Sequence, residues 1–203
     1  MPDTLMVIFS LGGPMLVRRL RPGAIRCRTA FLPLGGEPSV TISPWPGTEE
    51  GTRGVVADGQ VRMLAADGSE VASRPLSDVP GGTNPRSDDL ELLRFAATTL
   101  WTWVGLPLAL SWPHVASVDR GAGVVDVTVP EGWPATSTTH RLHLDGEGRV
   151  VRHEEGRLVH HLSHHCDFGD MNVATRRRTT LGDRVTVLWA DVVAAAVHPS
   201  VAT

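Results

Sequence analysis

The chain has 203 residues, enough for one large β or barrel-like domain with a substantial core, and a single domain over residues 1–203 is the expectation. Nineteen Lys and Arg stand against 22 Asp and Glu with no long basic block, which excludes the electrostatic footprint of a duplex nucleic-acid binder. The two cysteines, Cys27 and Cys166, form neither a disulfide framework nor a zinc-ligand spacing and read as reduced thiols.

The first element is the apolar run LMVIFSLGGPML, residues 5–16. Asp3 precedes it, no Lys or Arg stands before it, and no clean small-residue cleavage motif follows. It reads as part of the fold, and it falls short of the roughly 20 apolar residues that span a bilayer. A soluble cytoplasmic protein is expected. Alternating, β-rich runs follow at 24–32, 39–43, 53–59 and 60–65, separated by Gly and Pro as in hairpins. Residues 75–89 read as a turn-rich connection ending in a helix cap at Ser87 or Asp88, with Glu91 three residues after the latter.

The next segment, DLELLRFAATTLWTWVGL, is the longest helical pattern, and it stops near Gly105 and Pro107. A helix is expected over about residues 88–106, between an N-terminal and a C-terminal set of strands. Leu93, Ala96, Ala97, Leu100, Trp101 and Val104 make one apolar face, while Leu92, Phe95 and Trp103 make much of the other apolar too. Such a helix is packed on two sides. Strand patterns return at 114–119, 123–130, 140–145, 148–154, 172–180 and 184–197, the last with room for a helical ending.

Between them lies LVHHLSHHCDF, residues 158–168, with four of the nine histidines and one of the two cysteines. The segment is poor in helix formers and reads as extended. Pairing LDGEGR as a hairpin turn puts Leu142, Leu144, Val151, Leu158, Leu162, His140, His153, His160, His164 and Cys166 on one face. Arg141, His143, Arg152, Glu154, His161, Ser163, His165 and Asp167 fall on the other. A bulge would change these assignments.

On a strand, His160 and His164 stand about 13 Å apart, as do His161 and His165, so one ion cannot join either pair. Cross-strand neighbours such as His140 and His153 could share one, but no carboxylate has a forced place beside them. No metal and no cofactor are expected. Histidines on an apolar face can instead stand neutral as bases near pH 7. His160, His153 and His140 are therefore the candidate catalytic groups, with Asp191 added because it interrupts VTVLWADVV on the strand face of Val187 and Trp189. Trp101, Phe95, Leu142, Val151, Leu162, His164 and Trp189 are the candidate ligand-binding residues. Arg176 and Arg178 should share one face of their strand and Arg177 the other, which reads as a solvated strand. Trp45, Trp112 and Trp133, each beside a proline, read as corners sealing the rim, and with no tyrosine in the chain a Tyr acid is excluded.

The order of LELLRFAATTLWTWVGLPLAL, VDVTVPEGWPATSTTHRLHLDGEGRVVRHE, HHCDFGDMNVATRRRTT and VLWADV, about residues 88–195, resembles a group of uncharacterised bacterial proteins. More distantly it resembles the half-barrel lipid and lipoprotein carriers of the LolA and mycobacterial lipoprotein type. In those carriers a curved antiparallel sheet wraps an apolar cavity with helices on its concave side. This chain lacks a convincing export signal and a lipidation cysteine of their kind. The resemblance implies the architecture and brings no catalytic residue.

The expectation is thus a mainly β, α+β protein: a curved antiparallel sheet or half-barrel with one main helix on its concave face. Its partner would be a hydrophobic small molecule or acyl chain held between sheet and helix. The alternative is a cofactor-independent cyclase or isomerase using the cavity histidines as acid and base. A third reading is a structural protein with a filled core.

Overall fold

The computed structural model describes residues 3–13, 24–46, 48–80, 88–181 and 186–199. The first strand is β1 (Thr4–Gly12), in which Leu5, Val7, Phe9 and Leu11 alternate into the core with no exposure at all. β2 (Ala24–Pro33), β3 (Val40–Ser43), β4 (Arg53–Ala57), β5 (Gln60–Leu64) and β6 (Glu70–Pro75) then extend away from it as a meander. β6 was not expected from sequence, because its EVASRP pattern is mostly exposed and carries little alternation to read.

The helical segment crosses next. α1 (Asp89–Leu100) starts at Asp88, whose carboxylate accepts the Glu91 N–H at 3.0 Å and pairs with Arg74. Ser87, the other expected cap, lies outside the described residues. Trp101–Gly105 then widen into a π-helical turn, closed by the Leu106 N–H on the Trp101 carbonyl. Pro107 has no N–H to give the Trp103 carbonyl, and its ring would press on that carbonyl in α geometry, so the ladder is irregular here. Short helical turns at Leu106–Leu108 and Ala109–Ser111 end the segment.

The remaining strands are β7 (Ala116–Gly121), β8 (Val124–Thr128), β9 (Thr139–Leu144), β10 (Val150–Glu155), β11 (Leu158–Phe168), β12 (Met171–Leu181) and β13 (Thr186–His198). β13 is a strand throughout, without the helical ending that its alanines allowed. Among the described residues all thirteen strands form one curved antiparallel open sheet in the order β6-β5-β4-β3-β2-β1-β13-β12-β11-β10-β9-β8-β7. Only the β1–β13 junction joins strands distant in sequence, so it fastens the N-terminal meander to the C-terminal one. The apolar run at the amino terminus is therefore a central strand from Thr4 to Gly12.

The helical segment lies in the curve of this sheet. α1 packs on β3 to β6 and the π turn on β12. The approach is closest at Gly54, where a Cβ would stand 2.4 Å from a Leu93 methyl, so only glycine lets the helix seat there. Leu93, Ala96, Ala97, Leu100, Trp101, Trp103 and Val104 are all buried, which explains a helix apolar nearly all round: one side meets the N-terminal strands and the other the C-terminal ones. Trp101 stacks edge-on against Trp133 at 5.3 Å between ring centroids, and Trp112 packs on Trp133 in turn. Replacing Trp101 by Ala should cost about 3–5 kcal/mol, as for a large fully buried aromatic. Urea unfolding followed by circular dichroism checks this, and a cost near zero would mean the helix is not seated as described.

Candidate functional site

Four strands carry a buried polar cluster into the apolar interior. His140 on β9, His153 and Glu155 on β10, and His160 on β11 meet Arg177 and Thr179 on β12. β10 and β11 are joined by a two-residue turn at Gly156 and Arg157, which sets His153 directly opposite His160. The His153 and His160 rings lie 4.8 Å apart, and those of His140 and His153 lie 5.0 Å apart. His140 Nδ1 and His153 Nε2 share a hydrogen bond of 3.0 Å. His160 Nδ1 stands 2.9 Å from the Thr179 hydroxyl, and its Nε2 stands 3.7 Å from Glu155 Oε2.

Arg177 ties this cluster to the helix. Its Nη1 donates to the Thr99 carbonyl of α1 at 2.7 Å, and its Nη2 donates toward the His160 ring, 2.9 Å from Nδ1 and 3.2 Å from Nε2. Its cross-strand neighbour on β13 is Ala190, whose small side chain leaves the guanidinium room. Burial lowers Arg177 to about 10, opposed by the charge of Glu155. Burial pushes Glu155 up to about 7 while Arg177 pulls it down. His140 is lowered to about 4 by burial, aided by the charge of Arg177, and burial first and Arg177 second carry His153 and His160 well below their ordinary value. All three histidines are thus neutral at pH 7. His140 Nε2, Glu155 Oε1 and Arg177 Nε are buried without a hydrogen-bond partner.

One cavity adjoins the cluster and another lies farther along the same sheet. A small one of about 40 Å³ is lined by Phe95, Thr98, Thr99, Thr102, Thr136, Glu155, Leu158, His160, Arg177, Thr179 and Leu188. That is room for a water or an ion, since one water needs about 10–15 Å³ on this measure. It is too little for a cyclase substrate. The second, about 260 Å³, opens between the end of the helical segment and β9 to β12, with Trp103, Val104, Leu108, Leu144, Val150, Leu162 and Val173 as its apolar wall and Arg149, His165 and Asn172 among its polar residues.

The candidate residues divide accordingly. His140, His153 and His160 come together, Phe95 lines the small cavity, and Leu162 lines the larger one. Trp101 and Leu142 are packed in the core. Five inward assignments are corrected. β10 bulges between Val150 and Arg152, so Val150 takes the inward position and Val151 does not line the larger cavity. β11 is locally distorted at His164, which has φ of 56° and is exposed, although its register with β12 is the same on either side. The left-handed backbone there turns the side chains that follow: Cys166 is exposed, and His165 turns inward, 3.1 Å from the Val150 carbonyl. On β13 the buried face is Leu188, Ala190 and Val192, so Trp189 and Asp191 lie on the opposite face. Trp189 there covers Gly12, where a Cβ would stand 2.2 Å from the indole, and Asp191 pairs with Arg176 and Arg178.

Sequence reasoning missed Glu155 and Arg177. Glu155 has the same strand parity as His153, which was a usable signal. Arg177 was correctly separated from Arg176 and Arg178, but the direction of its face was not legible, since both faces of TRRRTT are polar.

With this geometry described, comparison with solved structures gives the architecture its relatives. A DUF1329 family protein from Desulfovibrio piger superposes with a TM-score of 0.53 at 10% identity, covering 96% of this chain and 85% of that one. A domain assigned to outer membrane lipoprotein sorting from Vibrio parahaemolyticus gives 0.52 at 9% identity over 98% and 87% of the two chains. A LolA superfamily protein from Nitrosomonas europaea gives 0.51 at 12% identity over 95% and 84%. The fold is a LolA-like half-barrel. The sequence matches no protein-family model and no curated protein. At these identities the likeness is one of fold, and the buried His, Glu and Arg cluster is described from this chain alone.

Arg177→Lys tests the clamp between sheet and helix. A lysine cannot reach Thr99 and His160 together in the planar fork of a guanidinium, so a loss of about 1–3 kcal/mol is expected by denaturant unfolding. Arg178→Lys, on the solvent side of the same strand, should stay within about 0.5 kcal/mol. Equal effects would show that the buried fork contributes nothing particular.

Proposed function

We propose that the protein binds a hydrophobic small molecule or an acyl chain in the cleft between the end of its helical segment and β9 to β12. The observation that carries this reading is the apolar wall of that cleft. Trp103, Val104, Leu144, Val150, Leu162 and Val173 remain in contact with an open space of about 260 Å³ on the concave side of the sheet, where a filled core would have closed it. Ligand pockets usually run from about 300 to 1,000 Å³, and this cleft falls just below that range, a size for one chain or a small apolar molecule. Asn172, His165 and Arg149, the last paired with Asp145 and with Glu147 of the same cleft, can meet a polar head while the tail is buried.

A wider cleft of about 590 Å³ lies at the other end of α1, but Glu49, Arg74, Asp88 and Asp89 line it and make it the poorer match to an apolar guest. Two of the structural relatives bear names that refer to lipoprotein sorting or to LolA, and a carrier role in this chain accords with them. The cyclase or isomerase alternative needs substrate room beside His140, His153 and His160, and the space next to His160 and Glu155 suits only water or an ion.

Titration with an apolar fluorescent dye, together with mass spectrometry of lipids extracted from the purified protein, tests the proposal. Leu162→Arg, which places a charge in the cleft wall, should weaken dye binding more than about tenfold, because a desolvated guanidinium in an apolar pocket is strongly unfavourable. Val193→Arg, on an exposed position of β13, should leave binding unchanged. Dye binding that Leu162→Arg does not alter, in a protein with an unchanged circular dichroism spectrum, would overturn the proposal.

A further inference from the structure

We propose that His140, His153 and Glu155 form a binding site for one divalent transition-metal ion of the zinc type. One nitrogen from each imidazole and one carboxylate oxygen all lie within 4.8 Å of one another, and all three residues are buried. Donors around one tetrahedral zinc stand roughly 3.3 Å apart, given bond lengths of about 2.0–2.1 Å, so a small adjustment of side-chain torsions closes the set. The two imidazoles are already in contact, with His140 Nδ1 and His153 Nε2 3.0 Å apart.

Unused bonding capacity is a second, independent observation. Glu155 Oε1 belongs to a side chain more than nine-tenths buried, yet it has no hydrogen-bond partner. An orphaned buried acceptor is costly, and a metal ion is one way to satisfy that carboxylate oxygen. Two histidines and one glutamate are a recognised zinc ligand set with a fourth position for water. The small cavity that touches Glu155 gives that water a place.

The chemistry of the surroundings is consistent. The imidazoles bind as neutral rings, so any proton on a ligating nitrogen moves to the ring's other nitrogen, and Glu155 binds as carboxylate, releasing a proton to solvent when it holds one. Arg177 is the opposing charge, and Glu155 is the anion that answers both it and the ion. His160 can only assist, because its Nδ1 is held by Thr179 and the guanidinium of Arg177 lies against its ring. The site also differs from the histidine run of β11: on a strand His160 and His164 are too far apart for one ion, whereas His140 and His153 are diagonal neighbours across β9 and β10 with their rings in contact.

The test is titration of chelator-treated wild-type protein with Co²⁺, read by its visible d–d absorption, followed by displacement with Zn²⁺. One equivalent should bind with the intense spectrum of a four-coordinate site. His140→Gln should weaken Co²⁺ binding more than about tenfold while retaining the wild-type circular dichroism spectrum, since the glutamine amide can still hydrogen-bond to His153. The double variant His161→Gln/His164→Gln, which alters only exposed residues, should bind as wild type does. Three results would each overturn the proposal: no binding by the wild-type chain at 100 µM Co²⁺ (about tenfold above a modest 10 µM site), unchanged binding in His140→Gln, or loss of binding in the His161→Gln/His164→Gln double variant.

Discussion

A guanidinium buried between a β-sheet and a helix constrains everything within reach of it. Arg177 is 3% exposed, and removing such a charge from water costs several kcal/mol unless the surroundings restore its hydrogen bonds. The Thr99 carbonyl, the His160 ring and the charge of Glu155 do this, and they come from α1, β11 and β10 respectively. The helix therefore has to sit at one depth and one azimuth in the curve of the sheet. Gly54 permits that seat on the N-terminal strands, and Ala190 clears the space that the guanidinium occupies beside β13.

The same constraint accounts for where the interior is open and where it is closed. Around Arg177 the polar groups draw the helix and sheet together, and about 40 Å³ is left. Beyond the π turn, Pro107 ends the regular ladder, the chain leaves the sheet, and the apolar wall from Leu144 to Val173 is not covered. A half-barrel with thirteen described strands and one main helix has more concave surface than that helix can occupy. The residual apolar space lies at the helix's trailing end, and the polar cluster closes the middle. Histidine at three neighbouring inward positions suits this arrangement, because a neutral imidazole can be buried and can still give and accept hydrogen bonds where leucine could only fill volume.

One bulge and one left-handed residue decide which side chains take part. A single extra residue inverts the facing of everything after it in a strand, because side chains alternate with a period of two. At Val151 this moves Val150 into the cleft, while the left-handed backbone of His164, without any extra residue, turns out His164 and Cys166 and turns His165 in. Arg176, Arg178, Asp191 and Trp189 lie on the outer face for a related reason. The phase of β12 and β13 is fixed by Arg177 and Thr179 pairing with Ala190 and Leu188, and not by which face of the strand looks more apolar in isolation.

The sequence by itself determined the strand-rich architecture, the extended state of residues 158–168, the helix from its Asp88 cap to the region of Pro107, and the neighbourhood of His140, His153 and His160. Each of these follows from short-range periodicity, capping or turn chemistry, which act over a few residues and are written in local pattern. Only the tertiary structure decided that Glu155 and Arg177 complete the cluster, that Asp191 does not, and that β1 joins β13 as the central seam. The strand Glu70–Pro75 also became visible only there, since an exposed edge strand is held by its neighbour's backbone and needs no apolar alternation of its own. The physical reason is common to all of these. Bulges, cross-strand partners and sheet order are settled by which distant backbone a strand meets, and a polar side chain shows its burial only when the groups that satisfy it arrive from elsewhere in the chain.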